Sequence, residues 1–140
     1  MNATQGLIKA YRVDNAGGVT QYAAVVASTV PTNGNCKLPA AANAVGFLGF
    51  TVEAQPNQYK ACAVQKTGIA RAVAGGTIAY GDRVVINGTL GDVKSAEAAI
   101  VAGAGTYGAQ NVVGRAEESA VAGQIFAVWI CPETIIQPVS

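Results

Sequence analysis

A mainly β fold is what this sequence predicts: a compact β-barrel or sandwich of short antiparallel strands with one short helix at about residues 96–102. Three observations carry that expectation. The apolar runs are short and rich in β-branched residues, glycine-centred turns separate them at close intervals, and only one stretch has helical composition. The turns are densest from Gly68 to Lys94, where Gly75-Gly76, Gly81-Asp82, Asn87-Gly88 and Gly91-Asp92 follow one another. Glycine and asparagine accept the positive φ of tight turns, and an aspartate carboxylate closes a turn on its own backbone.

Taken in order, residues 1–6 (MNATQG) are polar and aperiodic, which predicts an arm. Leu7–Val13 alternates well enough to form a strand, with Leu7, Lys9, Tyr11 and Val13 on one face. Asn15 to Gly18 turns the chain into a second strand over Val19–Val26, and Pro31 to Asn35 is a strong turn signal. Pro39 to Ala44 is rich in small residues and suits one helical turn. Val45–Val52 and Tyr59–Lys66 read as strands, as do Thr77–Tyr80 and Arg83–Ile86 within the turn-rich stretch. The helix follows, with Ser95 as N-cap and Glu97 in the first turn, and Gly103 stops it. Val112–Glu117 and Gly123–Cys131 close the fold, with Phe126 and Trp129 expected in the core. Domain bounds of 7–131 for one β-rich domain leave a C-terminal tail over 132–140.

The chain also carries an internal repeat. Gly17-Gly18-x-x-x-Tyr22 followed by Val25-Val26 matches Gly75-Gly76-x-x-x-Tyr80 followed by Val84-Val85. Each copy then passes a lysine (Lys37, Lys94), an alanine-rich stretch and a Val-Gly pair, Val45-Gly46 or Val113-Gly114. Two short-strand units, each unable to bury its apolar face alone, would pack together.

Reactive chemistry is missing. The chain has no histidine, which removes Ser-His-Asp and Cys-His nucleophilic sites and the commonest zinc sites. Cys36, Cys62 and Cys131 have no metal-type spacing, and their odd number argues against a disulfide framework. Glu117-Glu118 on a strand would point to opposite sides. Gly103 to Gly108 spells G-x-G-x-x-G, but follows a helix where the dinucleotide fingerprint follows a strand. The expectation is therefore a non-enzyme with no cofactor and no metal. Charged residues make up 12% of the chain, about half of the ~25% usual for soluble domains, which points to surface covered by neighbours. The net charge of +1 draws the chain to neither nucleic acid nor an anionic membrane. Residues 1–70 are net basic and residues 71–140 net acidic, a split suited to head-to-tail contacts. No apolar run approaches the ~20 residues of a membrane span, and polar residues after Met1 give no sign of a signal peptide.

The run G-I-A-R-A-V-A-G-G-T-I-A-Y-G-D-R-V at 68–84, G-D-V-K-S-A at 91–96 and V-G-R-A-E-E-S-A-V-A-G-Q-I-F-A-V at 113–128 resembles the head decoration (capsid cement) proteins of tailed bacteriophages. Arg115-Ala116 matches that family's Gly-x-Ala element and Ala122-Gly123-Gln124 its last turn. The resemblance implies a β-rich protein, made in the host cytoplasm, that sits as a homotrimer on the outer surface of the capsid. It would bind the major capsid protein, bridge its subunits and stabilise the shell without catalysis. The contact residues expected on physical grounds are Asn2, Thr4 and Gln5, adding to a capsid edge strand, and Ile135 and Ile136, packing on a sister subunit. Two other readings stand beside it. One is a tail, fibre or baseplate β-domain. The other is a small-molecule or carbohydrate-binding barrel, which needs Trp129, Tyr59, Tyr80 and Tyr107 exposed together in one cleft.

Overall fold

The computed structural model describes residues 6–29, 34–98 and 109–135. The first five strands are β1 (Ile8–Val13), β2 (Ala24–Ser28), β3 (Asn35–Lys37), β4 (Phe47–Thr51) and β5 (Ala61–Gln65). They close into a barrel in the order β1-β3-β2-β4-β5. The other five, β6 (Ile69–Val73), β7 (Arg83–Ile86), β8 (Val93–Ser95), β9 (Gln110–Ala116) and β10 (Ile125–Ile135), form a sheet in the order β6-β10-β9-β7-β8. Helical backbone among the described residues is confined to Glu97 and Ala98, and Ser95 Oγ accepts the Glu97 N–H at 3.2 Å in its expected capping place. The rest of the expected helix, and the Gly103–Gly108 motif, lie outside the described residues.

The two sheets are copies in topology and register. β2 pairs with β4 through Ala24↔Phe50, Val25↔Gly49 and then, across a bulge, Val26↔Phe47. β7 pairs with β9 through Arg83↔Arg115, Val84↔Gly114 and, across a bulge at the same place, Val85↔Val112. Ile8↔Gln65 recurs as Ile69↔Trp129, and Val26↔Lys37 as Val85↔Lys94. The parallel pair Val13↔Cys36 that closes the barrel recurs in the second sheet as the single bridge Ala74↔Val93. Val25, Val26 and Lys37 thus match Val84, Val85 and Lys94 as the repeat predicts. Its Val-Gly pairing shifts, Gly114 corresponding to Gly49 rather than Gly46, and its Tyr22–Tyr80 match shifts by one residue, Tyr22 corresponding to Gly81.

Several expected elements change, each for a local reason. The strand expected over Val19–Val26 is interrupted at Tyr22, whose φ of 63° turns the chain, so β2 starts at Ala24 and Val19 makes only an isolated bridge to Gln55. Thr77–Tyr80 is likewise reduced to one bridge, Ile78↔Ala120. β3 joins residues that the sequence left as a connection. Pro39 to Ala44 forms bends and a turn instead of a helical turn, because Asn43 adopts φ 56° and spends its polar groups on the second half of the chain. β10 runs four residues past Cys131, with a bulge between Ile130 and Glu133 that accommodates Pro132, which has no N–H to give to the ladder.

Each half has its own interior. Tyr11, Val13, Val25, Cys36, Cys62 and Val64 pack inside the barrel. Their counterparts Ala72, Ala74, Val84, Val93, Phe126 and Val128 belong to the core cluster on the buried side of the second sheet. Ala24, Val26 and Phe50, on the outer side of β2 and β4, join that second cluster, with Phe47 packed against it. The joint between the halves also carries hydrogen bonds. The Ala24 N–H donates to Gly91 O and the Asn43 N–H to Ile86 O, each at 2.8 Å. Asn43 Nδ2 donates to Ala109 O at 2.7 Å, and its Oδ1 and backbone carbonyl accept from Asn111 at 2.7 and 2.9 Å. Residues 66–68 link β5 to β6; the Lys66 N–H donates to Leu7 O and Gly68 O accepts from the Ile130 N–H.

Candidate interaction surface

Strand alternation decides which side chains of β10 are outside. Phe126, Val128 and Ile130 point into the core, so Ile125, Ala127, Trp129 and Cys131 point out. Trp129, expected in the core, is 48% exposed; the run VWIC is continuous in hydropathy, and only the register shows which half of it faces water. Across the ladder Trp129 stands opposite Ile69, Ala127 opposite Arg71, and Ile125 (51% exposed) opposite Val73. The equivalent outer positions on the barrel are Gln65, Ala61 and Arg12 in place of Trp129, Ile125 and Val73. The second sheet therefore carries larger apolar side chains at these positions than the barrel, whose matching face keeps Ile8, Ala10 and Ala63 beside Gln65 and Arg12.

This face of the second sheet runs into a cleft between the halves. Val73 also lines a cavity of about 440 Å³ together with Tyr22, Leu38, Leu90 and Asp92. Leu90, at the tip of the β7–β8 turn, is 75% exposed. Tyr22 borders both this cleft and an adjoining crevice beside Ile69 and Arg71. Its positive φ is costly for a residue with a Cβ, ~1–2 kcal/mol, and its counterpart in the second half is Gly81, at φ 89°. A strained backbone kept where the repeat elsewhere uses glycine marks Tyr22 as a side chain held for its position. Arg71 supplies the charge on this face and makes no ion pair among the described residues.

Among the described residues no three His, Cys, Asp or Glu side chains come together as metal ligands. Burial pushes the thiols of Cys36 and Cys62 up to about 11, with repulsion from Cys62 and Asp14 adding to the first and from Glu53 to the second. Burial also raises the Cys131 thiol. All three are protonated at neutral pH and poor nucleophiles. The turn carboxylates do what their positions suggest: Asp82 accepts the Ala79 N–H at 3.0 Å, and Asp92 accepts from Asn87 Nδ2 at 3.1 Å. Glu118 accepts the Ala127 N–H at 2.8 Å, while Glu117 is exposed beside it.

Of the contact residues expected from sequence, Asn2, Thr4, Gln5 and Ile136 lie outside the described residues. Ile135 ends β10 opposite Gln110, half-buried against its own chain's Val85, Ala96 and Val112. The sequence did not single out Ile125, Leu90, Ile69 or Val73. Their signal was available only as the period-two alternation of β6 and β10. Tyr59 and Tyr80 are exposed, but neither they nor Trp129 line the cleft or the crevice, and Tyr107 lies outside the described residues.

No family model matches the sequence, and no curated protein does. Among solved structures the chain is similar to the N base of head fiber gp8.5 in bacteriophage phi29, with a TM-score of 0.63 at 16% identity. The superposition covers 94% of this chain and 98% of that one, so the likeness is one of whole fold.

Proposed function

We propose that the chain is a structural protein of a phage head, mounted on the outer surface of the capsid and working by docking without turnover. The observation that carries this reading is the end-to-end similarity of fold to a phage head-fiber base. The resemblance of residues 68–128 to capsid decoration proteins points to the same location in the virion. The exposed side chains Trp129, Ile125 and Leu90, with Val73 and Tyr22 in the cleft between them, supply apolar surface for such docking. The proposed partners are the major capsid protein and sister copies in a homotrimer; nucleic acid and membrane have no part in it. Residues 1–6 add to a capsid edge strand in this reading, and Ile136 contacts a sister copy.

In the decoration role the protein bridges capsid subunits and stiffens the shell. A second role, as the base of a fibre projecting from the head, is favoured by what the similar solved structure is. Cosedimentation with undecorated capsids, using the full chain and a chain lacking residues 1–6, tests capsid docking. Binding by the full chain is expected, and no binding to any matched shell sinks the proposal. Heating the decorated capsids separates the two roles: a cement raises the temperature at which the shell opens, whereas a fibre base leaves it unchanged.

A further inference from the structure

One side chain inside the barrel has its hydrogen bonding only half completed. Tyr11 is 6% exposed and packs with Val13, Val25, Cys36, Cys62 and Val64. Alternation along β1 puts Lys9 on the same side of the strand as Tyr11 and Val13. Lys9 is exposed, so the inward side of β1 passes from core at Val13 to solvent at Lys9, with the Tyr11 ring between them. Lys66 follows β5, and its backbone N–H donates to Leu7 O, which fixes it beside the start of β1. Its Nζ donates to the Tyr11 hydroxyl at 2.5 Å. Lys9 Nζ and Lys66 Nζ each stand 5.0 Å from the centre of the Tyr11 ring. Neither belongs to an ion pair among the described residues, where the pairs are Arg83 with Glu97 and Arg115 with Glu133.

A phenol hydroxyl both accepts and donates. Lys66 is the donor to Tyr11, so the Tyr11 proton is left to give, and no acceptor meets it among the described residues. A buried donor without an acceptor is costly. The two ammonium groups around one ring also repel each other, which the ring's negative face offsets only in part. The cluster thus offers donors and positive charge and no acceptor beyond the one already used. What completes it is a group that only accepts and is negative, an oxyanion. The repeat shows that the fold itself does not call for these side chains. Since Ile8↔Gln65 recurs as Ile69↔Trp129, the counterparts of Lys9, Tyr11 and Lys66 are Ala70, Ala72 and Ile130. All three are buried in the second core. Where the second half holds hydrocarbon, the first half sets two cations and a hydroxyl.

We propose that Lys9, Lys66 and the Tyr11 hydroxyl form an oxyanion site at the mouth of the barrel. The anion accepts the Tyr11 proton and lies between the two ammonium groups. Two sources offer that chemistry: free phosphate, and the carboxylate of an acidic side chain on the shell, the latter resting on the capsid-docking reading above. Inorganic phosphate, and separately acetate, is titrated into the free labelled protein at constant ionic strength and followed by NMR. Saturable shifts are expected at Lys9, Tyr11 and Lys66, and are lost in a folded Lys9→Met, Lys66→Met double variant. Tyr11→Phe keeps the ring and removes the hydroxyl, and should weaken binding about tenfold or more. Wild type without a saturable shift for either anion overturns the proposal, as does an equal response from the double variant. Should that variant misfold, Lys9→Met alone decides, because its exposed side chain can be lost without harm to the core. Cosedimentation with matched capsids then separates the sources. Loss of binding by the folded double variant assigns the anion to the shell, and undiminished binding assigns it to free phosphate. If wild type itself fails to bind capsids, the docking reading falls while the titration still decides the site.

Discussion

Tyr11 and Cys62 face each other across β1 and β5, and at the equivalent place Ala72 faces Phe126 across β6 and β10. Each pair holds one large ring and one small side chain, but the ring comes from opposite strands. The repeat therefore conserves volume where it does not conserve residues. Tyr11→Ala should cost about 3–5 kcal/mol in denaturant unfolding, as for other large-to-alanine changes in cores. Cys62→Phe added to it should recover part of that loss, by rebuilding the arrangement of the second half. Tyr22 behaves differently. Tyr22→Asn removes contact area but relieves the positive φ, so stability should move by no more than ~0.5 kcal/mol while capsid docking weakens. The buried thiols set an alkaline limit. Cys36 and Cys62 hold their protons to about 11 in the fold, against 9.0 for an unburied thiol. The folded state binds those protons more tightly, so stability is full below pH 9 and declines as pH rises from 9 to 11. Melting curves at pH 7 and pH 10 should show the fall, and a double Cys→Ala variant should show less of it.

At the level of elements, Gly49 and Gly114 show why the two bulges recur. A Cβ at Gly49 would lie 2.1 Å from Gln65 O, and one at Gly114 2.2 Å from Trp129 O. β4 and β9 thus approach their neighbouring strands more closely than any side chain allows. Gly114→Ala should cost at least ~3 kcal/mol, read as a drop in denaturant midpoint, because the clash is with backbone that cannot step aside. Arg83→Ala probes the first turn beyond β8: hydrogen bonding to Arg83 holds the Glu97 carboxyl below the usual carboxylate range. Stability from that pair is present above the ordinary glutamate value and is lost as pH falls through the lowered one, ~1 kcal/mol for a pair this exposed. The strands themselves were largely legible: β7 was read residue for residue, and β1, β4, β5 and β10 to within a few residues. What the sequence hid were conformations enforced from elsewhere. Tyr22 and Asn43 adopt positive φ because the other strands hold them there. Neither tyrosine nor an alanine-rich stretch announces such a turn.

For the molecule as a whole, the duplication was visible as a few spaced residues, but only the shared register showed which positions correspond. The contact surface was less legible. Trp129 was expected inside because the composition of its run gives no phase, and phase is set by pairing with β6. Its exposure makes it a reporter. Its fluorescence should be quenched readily in the free protein and shielded on docking, and Trp129→Ala should weaken cosedimentation with capsids without a large loss of stability. Light scattering on the free chain tests the proposed trimer, which predicts three times the 14.1 kDa chain mass. The short link over residues 66–68 has a further consequence. It tethers the halves so tightly that each meets the other at an effective concentration of mM or above. A contact of only mM affinity, about 4 kcal/mol, is then enough to keep them together. Between separate chains the same contact would have to form without that advantage.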